Sequence, residues 1–174
     1  MRRVWWSATT AVWAAFLMAS DCHGSAPDTR ATPTELQKAL VRRWIDEGFN
    51  HQRLTVVDEL FAEQVTLNGQ VIAREGLKQS MRRHLEGFPD LHVTIDDILA
   101  EGDRVGIWYT AAGTHRGLFE AIPPTGKRVS WGGFDLVRFE GGKISAARFL
   151  SDFHGLMAQL GPTTSASQTR RARP

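Results

Sequence analysis

Apolar residues follow the spacing of α-helices in the first half of the chain body, where they recur every three or four positions. Thr32 opens a Thr-Pro-Thr-Glu segment that supplies an N-cap, a proline at the first helical position and the glutamate of a capping box. The pattern therefore predicts a helix that begins there and ends at Gly48. It also predicts a second, shorter helix around residues 55–62 and a third helix over about 75–86.

The pattern changes after Pro89, where apolar and polar residues alternate in the manner of β-strands. Gly102 and the Gly141-Gly142 pair stand between alternating segments and predict two hairpin turns. The predicted strands are 91–95, 105–111, 129–139 and 144–152, with a short additional strand at 65–68. Helices followed by an antiparallel meander indicate an α+β fold, in which a curved sheet over the helices leaves a ligand pocket on its concave face.

The first residues have the charge and hydropathy pattern of an export signal. Arg2 and Arg3 precede an apolar stretch of about sixteen residues, which is short for a membrane span, and small residues follow it. This pattern predicts a signal peptide or N-terminal anchor at residues 1–26 and a secreted or periplasmic protein. Cys22 follows small residues, as in a bacterial lipoprotein, although Asp21 breaks that pattern; membrane attachment is expected only through such an anchor. An uncleaved N-terminal helix, either amphipathic or buried, is the alternative interpretation.

The charge distribution argues against a nucleic-acid-binding protein. The chain has 174 residues and a formal net charge of +2, of which residues 1–26 contribute +1 and residues 163–174 contribute +3. Residues 27–162 are therefore left with a net charge of −2, which argues against a basic groove across the domain for a phosphate backbone. We expect one domain over 27–162 and a disordered tail over 163–174.

Several short motifs follow one another from Phe88 onward. They are Phe88-Pro89-Asp90-Leu91, Ala100-Glu101-Gly102-Asp103-Arg104-Val105, Gly113-Thr114-His115-Arg116-Gly117, Ile122-Pro123-Pro124-Thr125-Gly126-Lys127, and Gly155-Leu156 with Gln159-Leu160-Gly161. Together they resemble the SnoaL-like polyketide cyclases, also called ester cyclases, over about residues 35–161. The resemblance implies the nuclear-transport-factor-2-like fold, with N-terminal helices packed on a curved, mainly antiparallel sheet. It also implies a homodimer.

The resemblance further implies chemistry without a metal or an organic cofactor, namely removal of a proton next to a carbonyl in a cyclisation, isomerisation or dehydration. Such chemistry needs a base and a donor that stabilises the enolate oxygen. In the family the base is an aspartate on the last strand, which corresponds to Asp152. Alternation along that strand puts Asp152 on the same face as Arg148, so we expect Asp152 to face the cavity as the catalytic base. A carboxylate that caps or pairs at the strand end is the alternative interpretation.

Arg148 stands where the family usually has a tryptophan. A charged group in place of an apolar wall is expected to meet a substrate carboxylate, phosphate or polarised carbonyl, or a carboxylate on the neighbouring strand. An arginine that lies along the sheet edge with its charge in water is the alternative.

His115 is the second predicted catalytic residue, because it matches the histidine of the family's Gly-Thr-His segment. It could donate to the substrate oxygen, or it could lie at the surface or the mouth of the pocket. The expected hairpin pairing puts Ala111 beside Trp131, so His115 would meet Asp152 only across a ligand. Tyr109 is either core filler or a buried donor. The predicted substrate contacts are Arg148, Tyr109, Trp131, Asn68 and Phe119.

The sequence predicts neither a metal nor a cofactor. His51, His84 and His92 show no metal-ligand spacing, and the chain has no phosphate-binding glycine loop or serine-nucleophile elbow. We expect a small hydrophobic or anionic carbonyl-containing ligand, a homodimer and no nucleic acid. A non-catalytic binding or accessory protein that uses the same pocket is the alternative function.

Overall fold

The computed structural model describes residues 32–161. The predicted signal peptide or anchor at residues 1–26 and the predicted tail at 163–174 lie outside these residues and stay predictions. Within the described range, no helix is long and apolar enough to cross a membrane.

Three helices precede most of the sheet, as the sequence pattern predicts. Helix α1 spans Pro33–Ile45 and continues into a π-helical turn at Asp46–Asn50. The predicted cap is confirmed, because Thr32 Oγ1 accepts a hydrogen bond from the backbone N–H of Glu35 at 3.2 Å. The other two helices are α2 at Val56–Leu60 and α3 at Arg74–Gly87.

Six strands form one curved sheet. They are β1 at Phe61–Leu67, β2 at Gln70–Ala73, β3 at His92–Glu101, β4 at Arg104–Thr114, β5 at Arg128–Glu140 and β6 at Lys143–Ser151. Their order is β2-β1-β6-β5-β4-β3, and every pair is antiparallel except β1 with β6. A fourth helix, α4 at Phe153–Leu160, follows the last strand. The α+β fold class is confirmed, although the sequence analysis predicted neither β2 nor α4.

The register of β4 against β5 agrees with the pairing expected from the sequence. Ala111 lies opposite Trp131, and Tyr109 lies opposite Gly133. Because alternate residues of a strand share a face, the side chains of Tyr109, Ala111 and Trp131 all point to the concave side of the sheet.

A β-bulge changes the faces of β6. Ser145 is an extra residue there, and the pairing with β5 shifts around it. One inserted residue moves every later side chain of the strand to the opposite face of the sheet. Phe149 and Ser151 therefore face the helices, whereas Arg148 and Leu150 are exposed on the outer face.

The helices cover the concave face of the sheet. Trp44 of α1 packs edge-on against Phe61 with ring centroids 5.3 Å apart, and it stacks on Phe149 of β6 at 5.6 Å. Phe88, directly after α3, packs on Trp131 of β5 at 5.2 Å. These aromatic contacts fix α1 and α3 against the sheet at the place where the cavity lies.

The outer face carries a row of apolar side chains across three strands. Trp108, Phe134 and Leu150 occupy directly paired positions on β4, β5 and β6, and we call them the outer row. Trp108 is 58% exposed and Leu150 is 72% exposed. Asp97 of β3 pairs with Trp108 at one end of the outer row, and Arg148 lies two residues from Leu150 at the other end.

Candidate active site

A cavity of about 100 Å³ lies between α1, α3 and the concave face of the sheet. This volume is below the roughly 300–1,000 Å³ of typical ligand pockets, so a ligand larger than one small ring must displace side chains. No lysine or arginine lines the cavity among the described residues. Its apolar lining is Trp44, Ile45, Phe49, Leu77, Met81, Leu91, Val93, Ala111, Trp131 and Phe149, and its polar side chains are Ser80, His84, Tyr109, Asp135 and Ser151.

Asp135 of β5 is the carboxyl group of this cavity. It is 6% exposed, and its Oδ1 atom has no hydrogen-bond partner among the described residues. Burial in apolar surroundings disfavours the charged form and raises the pKa of Asp135 to about 7. Much of this carboxyl is therefore protonated at neutral pH, and a protonated carboxyl can donate a hydrogen bond or transfer its proton.

Tyr109 and Ser151 form a hydroxyl pair on the same sheet wall. The Tyr109 Oη and Ser151 Oγ atoms are 2.8 Å apart. Burial, assisted by the nearby Asp135 carboxyl, raises the pKa of Tyr109 to about 12, so the phenol stays protonated through the neutral range. Each hydroxyl has one hydrogen and their mutual bond uses one of them, which leaves one hydrogen for a ligand.

Gly133 makes room for the phenol of Tyr109. It lies directly opposite Tyr109 on the neighbouring strand. A Cβ atom at Gly133 would overlap the ring and the hydroxyl of Tyr109. The absence of a side chain at this position therefore allows Tyr109 to lie over β5 and to reach Ser151.

Trp44 adds a donor on the helical side of the cavity. Its side chain is buried between Phe61 and Phe149, and its Nε1 has no hydrogen-bond partner among the described residues. An indole N–H can only donate. A ligand oxygen at this wall would satisfy a buried polar atom that the protein leaves unpaired.

Asp152 does not line the cavity, so the geometry does not support the expectation that it faces the cavity as a base. It is exposed, and it caps α4: its Oδ1 accepts a hydrogen bond from the backbone N–H of Gly155 at 2.8 Å. This is the alternative interpretation, a capping carboxylate at the strand end. The bulge at Ser145 is the reason, because it gives Ser151 the inward position that simple alternation assigns to Asp152.

Arg148 lies on the outer face of the sheet, so the geometry does not support its predicted contact with a substrate in the cavity. The same bulge turns it outwards. It lines a separate groove there together with Arg104 and Arg138. The observed arrangement is an exposed arginine on the sheet surface, which is close to the alternative that the sequence left open.

His115 is fully buried at 0% exposure and does not line the cavity. It therefore does not lie at the surface or the pocket mouth, and the geometry of the cavity does not support its predicted role as a donor to the substrate. Its Nδ1 accepts a hydrogen bond from the backbone N–H of Thr125 at 3.3 Å and lies 3.1 Å from Thr125 Oγ1, while its ring packs on Phe88 at 5.3 Å. His115 thus holds the loop 116–126 against the body of the domain.

The protein is expected to lose stability as the pH falls below about 6.5 because of His115. Burial lowers the pKa of His115 in the folded state, so the folded protein keeps the ring neutral while the unfolded chain takes up a proton. The stabilisation is complete above the unfolded pKa and is lost as the pH falls towards the folded pKa. Urea unfolding of the wild type and His115→Gln between pH 5 and 8 measures the difference. Parallel pH profiles for the two proteins would contradict this assignment.

Asn68 and Phe119 do not line the cavity either, so their predicted substrate contacts are not supported by its geometry. Asn68 has a left-handed φ of 48° in the β1–β2 turn. Its side-chain oxygen accepts a hydrogen bond from the backbone N–H of Phe149 at 2.8 Å, and its side-chain nitrogen donates a hydrogen bond to the carbonyl oxygen of Phe149 at 3.4 Å. Phe119 packs behind the cavity wall, with its ring centroid 5.3 Å from that of His84. Tyr109 and Trp131, the other predicted contacts, do line the cavity, and their contact with substrate stays a prediction.

The sequence analysis did not identify Asp135, although the strand pattern contained a signal. The inward positions of β5 are Val129, Trp131, Gly133, Asp135, Val137 and Phe139. An acidic residue in an otherwise apolar inward series is the informative exception, because a carboxyl is seldom buried without a partner. Across residues 32–161, no group of three or more His, Cys, Asp or Glu side chains is placed to hold a metal ion.

Comparison with known proteins assigns the chain to a family. The model of the SnoaL-like polyketide cyclase family matches residues 39–160, whereas no curated protein gives a match. AclR from Streptomyces galilaeus, a candidate hydroxylase, is 28% identical with a TM-score of 0.65, over 72% of this chain and 95% of AclR. TsrD from Streptomyces laurentii is 26% identical with a TM-score of 0.69, over 76% of this chain and 98% of TsrD. IdmH from Streptomyces antibioticus, a candidate polyketide cyclase, is 28% identical with a TM-score of 0.63, over 72% of this chain and 98% of IdmH. Because the family model covers most of the chain, the protein belongs to the SnoaL-like polyketide cyclase family.

Proposed function

We propose that the protein catalyses cofactor-free proton transfer at a carbon next to a carbonyl, with Asp135 as the acid at the carbonyl oxygen. Membership of the SnoaL-like family suggests cyclase or isomerase chemistry of this kind. The observation that carries the proposal is the buried, unpaired carboxyl of Asp135 in an apolar cavity. Asp135 takes the place of Asp152, which lies outside the cavity.

The polar groups of the sheet wall suit the oxygen end of such a reaction. When a carbon next to a carbonyl loses its proton, negative charge develops on the carbonyl oxygen, and donors aimed at that oxygen lower the barrier. Protonated Asp135 supplies one donor, and the Tyr109–Ser151 pair supplies another. The apolar lining keeps bulk water away, which strengthens both hydrogen bonds.

The cavity lining favours a neutral ligand over an anionic one. An anion in this cavity would find no lysine or arginine among the lining residues and would lie near a carboxyl group. The aromatic side chains of Trp44, Trp131 and Phe149 offer flat apolar surfaces for a ring. We therefore propose a small, neutral cyclic ketone or a ring of that kind within a larger substrate.

Hydrogen exchange tests the proposed function directly. Cyclohexanone and its larger relative 2-tetralone are incubated with the protein in D₂O, and the loss of the proton signal beside the carbonyl is followed by NMR. The proposal requires exchange faster than in buffer and faster than with an equal concentration of serum albumin. Exchange at the background rate for both ketones would refute it.

We also propose that the outer row is covered by a second copy of the chain. Trp108 and Leu150, which are exposed, and Phe134, which is half-buried between them, form a contiguous apolar surface of the kind that isolated monomers seldom leave uncovered. Asp97 lies at one end of this row and Arg148 at the other. A two-fold axis through the middle of the row would bring the acidic end of each copy to the basic end of the other.

Trp108→Glu is expected to convert a dimer into a monomer, because it introduces a charge into the outer row. Light scattering at 50 and 500 μM measures the mass of the wild type and the variant. Leu118→Glu is the control, since Leu118 is exposed in the loop 116–126 and away from the sheet. A monomeric wild type at both concentrations would contradict the dimer.

A further inference from the structure

His84 lies on the helical wall of the cavity, across from the polar groups of the sheet. Leu77, Ser80, Met81 and His84 occupy one face of α3 at helical spacing, and all four line the cavity. The Asp135, Tyr109 and Ser151 side chains line it from the strands. A ligand between α3 and the sheet would therefore have His84 on one side and the sheet donors on the other.

The hydrogen bonding of His84 fixes which ring nitrogen has the lone pair. Its Nδ1 lies 2.9 Å from the backbone carbonyl oxygen of Ser80. A carbonyl oxygen only accepts hydrogen bonds, so Nδ1 must have the hydrogen, and in the neutral ring Nε2 then has the lone pair. Nε2 makes no hydrogen bond to any described residue and is not among the fully buried unpaired atoms. It is thus an open proton acceptor on a ring held in place by Ser80 and Phe119.

While Asp135 is protonated and acts as the acid, no other side chain that lines the cavity can accept a proton from carbon at neutral pH. Protonated Asp135 and the Tyr109 phenol are donors in this range, and the Trp44 indole N–H has no acceptor. The hydroxyl groups of Ser80 and Ser151 are very weak bases. A neutral imidazole is the usual general base of enzymes, and His84 is the imidazole of this cavity.

We propose that His84 is the general base that removes the proton from the carbon next to the substrate carbonyl. This assignment rests on the proposed function. The C–H bond breaks and its proton goes to Nε2 of His84, while its electron pair becomes the new C=C bond. The carbonyl π electrons move to the oxygen, which takes the proton of Asp135. The products are an enol, an imidazolium and a carboxylate, so protons and charge balance, and the reverse steps restore both groups.

Chemical rescue tests the base. His84→Ala is expected to lower the exchange of cyclohexanone hydrogens in D₂O by about 100- to 10,000-fold, the usual contribution of a positioned acid or base. Imidazole added to the solution should raise the exchange rate of His84→Ala at least tenfold, because the missing ring leaves a gap beside the cavity. The same imidazole should give no gain in Asp135→Asn. His92→Ala, which removes an exposed histidine on β3, is the control and should exchange at the wild-type rate.

The outcomes separate this inference from the proposed function. Full activity in His84→Ala, or a loss that imidazole does not restore in a variant with a native circular dichroism spectrum, would overturn the assignment of His84. If Asp135→Asn is impaired in either case, the proposed function stands without His84. If the wild type catalyses no exchange of either ketone, both proposals fail together.

Discussion

Asp135→Asn is expected to lower the catalysed hydrogen exchange by about 100- to 10,000-fold, because an amide keeps the shape of the carboxyl but cannot transfer a proton. The wild-type rate should also fall as the pH rises through about 7, where Asp135 loses its proton. Of the other titratable groups that line the cavity, Tyr109 stays protonated to about pH 12, and His84 must be neutral to act. The alkaline loss of activity is thus assigned to Asp135. NMR exchange rates between pH 5 and 9 on both proteins measure this effect.

Asp152→Asn is the matched control for Asp135→Asn. Asn is as good a helix N-cap as Asp, so α4 should remain capped and the exchange rate should stay within about threefold of the wild type. Folding provides a second control. The folded pKa of Asp135 lies above its unfolded value of 3.8, so its stabilising contribution is lost as the pH rises to about 7. The uncharged amide of Asp135→Asn avoids this loss, and the variant should unfold at no lower urea concentration than the wild type at pH 8. Loss of activity in Asp152→Asn instead of Asp135→Asn would exclude Asp135 as the catalytic acid.

Gly133→Ala is expected to remove Tyr109 from its place in the cavity, because the new methyl group would overlap the phenol ring. The ring must turn away and lose its hydrogen bond to Ser151. Overpacking of this kind costs about 1–3 kcal/mol in the free energy of unfolding. Loss of one donor to the developing oxyanion lowers turnover by about 100- to 1,000-fold. Urea unfolding and the exchange assay measure the two effects separately.

The neighbouring glycine gives the control for this substitution. A Cβ atom at Gly132 meets only the backbone oxygen of Tyr109, at 3.6 Å, so Gly132→Ala should change stability by less than about 1 kcal/mol and leave the exchange rate intact. Tyr109→Phe isolates the hydroxyl and should reproduce the kinetic loss of Gly133→Ala with a smaller loss of stability. Equal behaviour of Gly132→Ala and Gly133→Ala would contradict the role given to Gly133.

Local sequence signals predicted most of the secondary structure. The capping segment at Thr32 gave the start of α1, and alternation gave β3, β4, β5 and β6. Of the β1–β2 hairpin, the sequence analysis predicted only the first strand. The second strand, β2, has just four residues, too few for a clear alternation, although Asn68-Gly69 is a strong turn signal. Helix α4 was missed because Asp152 was assigned to a strand instead of a helix cap.

The candidate site was harder to predict because it depends on the faces of two strands. Simple alternation holds along β5 and would have placed Asp135 in the cavity. It fails along β6, where the bulge at Ser145 exchanges the inward and outward positions of every later residue. A bulge has no reliable local sequence signal, so Arg148 and Asp152 could not be excluded from the cavity before the pairing of β6 was known.

The side chain of Asn68 has a consequence for the order of folding. It bridges β1 to the backbone of Phe149 across 81 residues of sequence, where β1 and β6 pair in parallel. Closing so long a loop is entropically costly, whereas the hairpins from β3 to β6 join strands that are adjacent in sequence. The hairpins can therefore form first, and the edge of β6 stays open until β1 docks. Because α1 and α3, which precede and follow β1 in the chain, supply the helical side of the cavity, a late intermediate would have most of the sheet and no complete binding site.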